Sequence, residues 1–201
     1  MKPLVIGADP FPPYQYMDDK GEIKGSDYNT VKSIIDKMDY EAKYIIKDWS
    51  TIEEKFNEKS IDIVFQVQKT PERERNWYFS SKLRDAVTSI ITSLDNTNYN
   101  SLDELFKEQR KLGVIENYQY GEIIDSIEEE KKTYFNSLEE ILQSVNEGKL
   151  AFGVVDLGVF KHINEKNNYE NIKIVDKLNF NRPLYVVFND KSIRDEFNKH
   201  L

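Results

Sequence analysis

Residues 26–46 read SDYNTVKSIIDKMDYEAKYII. Tyr28, Val31, Ile34, Ile35 and Met38 recur at the three- and four-residue spacing of one helix face, and Glu41–Ile46 then has the short apolar pattern of a strand. Lys2–Ala8, upstream, reads as a first strand, so the whole makes a βαβ unit. Pro10, Pro12 and Pro13 exclude regular structure just after the first strand. A loop therefore leads from Asp9 to a short extended piece at Tyr14–Met17 and a turn at Asp18–Gly21.

The same alternation continues downstream. Ser50 or Thr51 is expected to cap a helix running through Lys59, followed by a strand at Ile61–Gln66. Thr70-Pro71-Glu72 has the form of a helix start, with threonine as N-cap and proline in the first turn. Ala86–Ser93 is β-branched and long enough to cross between lobes. Beyond it, helices are expected from Ser101, over Tyr120–Ile127 and from Ser137 to Asn146, with strands at Leu112–Ile115, Ala151–Val155, Ile172–Val175 and Leu184–Phe188, and Ser192–Leu201 opens a final helix. The order predicts an α/β protein of two lobes, residues 1–85 with 182–201 and residues 86–181, joined by two crossover connections.

Of the 201 residues 39% are hydrophobic and 12% aromatic, enough for a substantial core. No apolar run is long enough for a membrane helix, and Leu4–Gly7 is too short for a signal peptide, so the chain is expected to be a soluble piece of an exported protein whose leader or anchor lies elsewhere. With no cysteine, disulfides, cysteine zinc sites and thiol nucleophiles are excluded. A net charge of −8 opposes nucleic acid as a partner and binding to a membrane surface. The two histidines, His162 and His200, belong to no HExxH motif, and no nucleophile elbow is present; neither a cofactor, a metal nor catalysis is expected.

In open α/β sheets ligands bind above the carboxyl ends of parallel strands. The residues falling there are Asp9 and Phe11 after the first strand, Trp49 before the second helix, and Gln66, Gln68 and Arg73 around the third. Arg73 opposes the helix dipole in a first turn, a placement that favours a bound anion; the alternative is a pair with Glu72, Glu74 or another surface acid, and the residues alone weigh the two evenly. Phe11 and Trp49 could flank a ligand or pack in the core. Asp156, after the apolar run Phe152–Val155, could meet an ammonium or cap the next helix.

Taken in order, Asp9-Pro10-Phe11-Pro12-Pro13-Tyr14, Asp18–Gly25, Asp48-Trp49-Ser50, Ile61-Asp62, Thr70-Pro71-Glu72-Arg73, Phe79-Ser80, Leu138–Gly148, Gly153–Asp156 and Arg182–Asp190 resemble the type II periplasmic binding proteins for polar amino acids, solute-binding family 3. The resemblance implies a two-lobed Venus-flytrap fold that closes on a small polar solute, an amino acid or a related carboxylate. By the same resemblance, Arg73 holds the α-carboxylate, Asp156 takes the α-ammonium, Phe11 and Trp49 flank the side chain, and Asp9 reads its polar end.

Three features differ from the family pattern. Gln66 and Gln68 replace a small residue and a Ser or Thr, Asn117-Tyr118 replaces a Gly-Thr or Gly-Ser pair, and the C-terminal helix is short. Asn117 and Tyr118 thereby become candidate contacts in place of backbone ones. The expected partners are the ligand and either membrane transporter subunits of an ABC importer or the signalling domains of a longer sensor chain. A dehydratase-like enzyme on the same fold, or a degenerate module that binds nothing, are the alternatives.

Overall fold

The computed structural model describes residues 3–116 and 118–201. In chain order the elements are β1 (Leu4–Ala8), β2 (Tyr16–Met17), β3 (Ile23–Lys24), α1 (Ser26–Lys37), β4 (Ala42–Ile46), α2 (Trp49–Asn57), β5 (Ile63–Gln68), α3 (Pro71–Asn76), β6 (Tyr78–Phe79) and β7 (Arg84–Thr92). A kinked 3-10 segment, Leu102–Gln109, precedes β8 (Leu112–Ile115), α4 (Glu122–Asp125), β9 (Lys132–Phe135), α5 (Leu138–Asn146), β10 (Phe152–Asp156), α6 (Leu157–Asn167), β11 (Lys173–Phe188) and α7 (Lys191–Asn198).

The chain divides into two compact units, residues 1–85 with 183–201 and residues 86–182. In the first, β1 pairs in parallel with both β4 and β5, and the last part of β11 runs antiparallel to β5. Leu4, Ile6 and Ala8 of β1 point to one face, where Val31, Ile34 and Ile35 of α1 and Phe197 of α7 meet them, while Val5 points to the other, against Ile52 and Phe56 of α2. The period-two alternation of the strand and the 3.6-residue repeat of the helices thus fill both faces; each fully buried aliphatic side chain there contributes about 1.5–3 kcal/mol. In the second unit β10 pairs in parallel with β8 and antiparallel with β7, and β9 adds in parallel to β8. Ile141, Leu142 and Val145 of α5 cover one of its faces, and Tyr99, Leu105, Tyr120 and Ile124 the other.

Several expectations are corrected. Helix α2 begins at Trp49, capped by Asp48 and not by Ser50 or Thr51: the Asp48 carboxylate accepts from the Thr51 N–H at 3.0 Å and from the Ser50 and Thr51 hydroxyls. The strands expected at 172–175 and 184–188 merge into one 16-residue strand, Lys173–Phe188, that runs through Pro183. Strand β9 and helix α6 have no counterpart among the sequence-based expectations. The helix expected from Tyr120 shrinks to Glu122–Asp125, because Gly121 at φ 103° starts it late.

Strand β5 contains a bulge. Between the pairs Val64–Val187 and Val67–Tyr185 it has one residue more than β11, and Gln66 within it has φ +63°. The extra residue resets the alternation, so that Val64 and Val67 share a face and the Gln66 side chain is released from both cores.

Candidate ligand-binding site

In the first unit the candidate residues collect at the carboxyl ends of β1 and β5. Asp9 leaves β1, and its backbone carbonyl accepts from Gln15 Nε2 at 3.1 Å. The same Nε2 donates to Gln66 Oε1 in a very short contact. Phe11 exchanges backbone bonds with Gln15, and its ring stacks on Tyr14 at 5.8 Å. Gln15 is fully buried, and both Gln15 Oε1 and Gln66 Nε2 are enclosed without a partner among the described residues, an unusual cost of about 1–3 kcal/mol for each such atom.

Two residues further along β5, Gln68 accepts from Arg73 Nη1 through its backbone carbonyl at 3.1 Å. The Thr70 hydroxyl accepts from the Arg73 N–H at 3.2 Å and caps α3. The Arg73 guanidinium lies 4.8 Å from the centre of the Trp49 ring and 5.4 Å from that of Trp77, cation–π distances for both. Its Nη2 meets Glu53 Oε1 at 3.3 Å, a single contact to an acid that is one-third exposed. Arg73 therefore has a surface acid as partner, and one from α2 rather than Glu72 or Glu74. Trp77 is pinned by its indole N–H, which donates to Asn57 Oδ1 at 3.0 Å.

In the second unit Asp156 ends β10 and caps α6: its Oδ1 accepts from the Gly158 and Val159 N–H groups at 3.0 and 3.1 Å. Its Oδ2 accepts from Arg182 Nη2 at 3.2 Å. The two side chains are 2% and 7% exposed, so this is a buried ion pair. Arg182 Nη1 donates to the Gln119 carbonyl at 2.8 Å, its guanidinium stands 5.9 Å from the Tyr118 ring, and its Nε is buried without an acceptor among the described residues. Burial works against the charge of Arg182, but Tyr118, Asp156 and Asp125 outweigh it, and the guanidinium holds its proton more tightly than a free arginine does. Tyr118 also packs on Tyr120 at 4.6 Å. An open cavity of about 560 Å³ beside Tyr118 has Asp125, Lys132 and Tyr134 in its wall. Asn117 lies outside the described residues.

Asp9, Phe11 and Gln66 are thus brought together through Gln15, and Trp49, Gln68 and Arg73 through the guanidinium. Asp156 and Tyr118 are brought together through Arg182. Sequence reading missed the three connectors Gln15, Glu53 and Arg182; only Arg182 carried a local signal, as a cation directly before a proline in the return segment. Among the described residues no cluster of His, Asp and Glu is fit to hold a metal, and no helix is long and apolar enough to cross a membrane.

Two α/β units joined by two strand passages, each with polar side chains at the carboxyl ends of its parallel strands, define the class of type II periplasmic binding folds. The chain belongs to the bacterial extracellular solute-binding proteins, family 3, whose model it matches over residues 4–201. It is 22% identical to the L-cystine-binding protein TcyA of Bacillus subtilis, over 98% of this chain and 74% of that protein. A histidine kinase sensor domain with similarity to periplasmic binding proteins shares the fold at TM-score 0.81 and 17% identity, covering 99% of this chain and 88% of its own. The arginine-, lysine-, histidine-binding protein ArtJ of Geobacillus stearothermophilus shares it at TM-score 0.73 and 17% identity, over 99% and 87%. TcyA and ArtJ are binding proteins, and the chain is a solute-binding protein of family 3.

Proposed function

We propose that this domain works outside the cytoplasm and binds a small carboxylate-bearing solute, an amino acid or a close relative of one, without transforming it. The observation that carries the reading is Arg73, a guanidinium 16% exposed, oriented by the Gln68 carbonyl and flanked by two indole rings, with a single 3.3 Å contact to an acid among the described residues. A carboxylate that replaces Glu53 would gain a two-pronged bond to a guanidinium already held in place, so little side-chain freedom is lost on binding. Phe11 and Trp49 offer apolar faces for the solute's side chain, and Asp9, Gln66 and Gln68 polar groups beside them. The amino acids bound by TcyA and ArtJ support the ligand class. The bound state would be read by ABC importer subunits, or by signalling domains in the same polypeptide, as the sensor-domain relative suggests.

A thermal-shift screen of the twenty amino acids, L-cystine and their 2-oxo acid counterparts identifies the ligand. Arg73→Ala should then weaken it about thirtyfold or more, the cost of removing one partner of a buried charge pair. Equal affinity in parent and variant would remove Arg73 from the site. Tryptophan emission should change on binding and the change should vanish in Trp49→Phe.

A further inference from the structure

We infer that the open cavity of about 560 Å³ in the second unit is a binding site in its own right, for a small organic ammonium ion. Its wall is drawn from residues 114–134, wholly inside that unit. Val114 of β8 stands opposite Tyr134 of the edge strand β9, and Lys132, two residues before Tyr134, shares its face of the sheet. Helix α4 ends after a single turn beside this face. There Asp125 Oδ1 accepts from the Tyr120 N–H at 2.9 Å and Oδ2 from the Gly121 N–H at 3.0 Å, and Ile124 and Asp125 border the cavity with Lys132 and Tyr134.

The charges of the wall, Glu116, Asp125 and Lys132, do not cancel. The lysine is spent: its side chain is 7% exposed, and Nζ donates to the Asp125 carbonyl, the end of α4, at 3.1 Å and to Glu129 Oε1 at 3.2 Å. Lys131 pairs with Glu128 at 2.8 Å, and Arg182, 5.9 Å from the Tyr118 ring, with Asp156. Among the described residues Glu116 and Asp125 belong to no ion pair, the Asp125 carboxylate holding main-chain N–H groups alone. Two carboxylates without a counter-ion thus border a cavity of ligand size, and they repel an anion and attract a cation. The rest of the lining suits a cation that carries carbon. Tyr118, Tyr120 and Tyr134 all border the cavity, and two of the rings are held by their hydroxyls: Tyr120 accepts from the Ile115 N–H at 2.9 Å, and Tyr134 donates to Glu129 Oε2 in a very short contact. Tyr118 packs on Tyr120 at 4.6 Å. Rings fixed beside carboxylates attract a weakly hydrated ammonium, while Val114 and Ile124 offer apolar contact to its carbon atoms.

The test uses two cations without a carboxylate, each with its uncharged counterpart: choline against 3,3-dimethylbutan-1-ol, and 2-phenylethylamine against 2-phenylethanol. In calorimetry at low ionic strength at least one cation should bind with a Kd of about 1 mM or tighter, and its alcohol at least about tenfold more weakly. Isoleucine methyl spectra should show shifts at Ile115 and Ile124 and none at Ile34 or Ile52 of the first unit. Tyr134→Ala and Glu116→Gln, both at exposed positions, should each weaken the bound cation by about threefold or more. Neither cation binding below about 10 mM, a cation and its alcohol binding alike, or shifts confined to the first unit would each overturn the inference, as would two variants that bind as the parent does.

Discussion

Gln66 holds a φ of +63° inside β5, a region that glycine enters freely and that costs a residue with a side chain about 1–2 kcal/mol. The bulge it creates places its carboxamide beside Gln15. A β-branched residue is still less tolerant of that backbone, so Gln66→Val should unfold at lower urea concentration than Gln66→Ala, by about 1 kcal/mol, although both lose the amide contact. Equal midpoints would mean that the strand straightens when glutamine is removed. Arg73 was legible in the sequence because a cation in a helix's first turn is locally out of place. Gln15 was not, since its partner lies 51 residues away and nothing near position 15 marks it as buried.

Among the helices, α2 depends on a titrating cap. Asp48 sits well below the usual carboxylate range, at about 2, held there first by the Ser50 hydroxyl and then by the Thr51 N–H and hydroxyl. A carboxyl whose folded value is lowered contributes stability above its unfolded value of about 4, and that contribution is lost as pH falls through the folded value. Asp48→Asn accepts the same backbone bond without titrating. The parent's advantage over it in thermal melts should therefore be constant from pH 8 to 5, shrink below about 4 and be gone near 2; a gap that persists at pH 2 would mean the charge is not what the cap uses. Helix α1 begins under a different constraint. Gly25 has φ 125°, and a Cβ there would stand 2.1 Å from the Tyr14 carbonyl oxygen, so Ser26 becomes the first helical residue without any side-chain cap.

At the scale of the molecule the two units are unequally wired. Residues 86–182 are one continuous stretch, with cores built around Ile90, Phe152 and Val154 on one face and Ile91, Ile141 and Val155 on the other. The first unit is assembled from two distant segments, and Val186, Phe188 and Phe197 of the second of these are fully buried beside Ile6 and Ile35. A chain ending at Arg182 should consequently lose amide protection throughout residues 1–85 while residues 86–182 keep theirs in hydrogen exchange. Protection retained in both would mean that β11 and α7 are dispensable to the first unit.

The α/β class, the order of most elements and the family were determined by the sequence itself, because they depend on local periodicity, cap residues and motifs read over a few positions. Tyr28 to Met38 announces α1 by spacing alone, and Thr70-Pro71 announces α3 by its cap. What only the tertiary structure decided depends on partners far apart in the chain. The bulge at Gln66 is visible only against β11, the single strand across Pro183 only from its neighbours, and the partner of Asp156 only once Arg182, 26 residues on, is folded against it. A side chain's charge is a property of the sequence; whether that charge is left for a ligand is settled by what packs beside it.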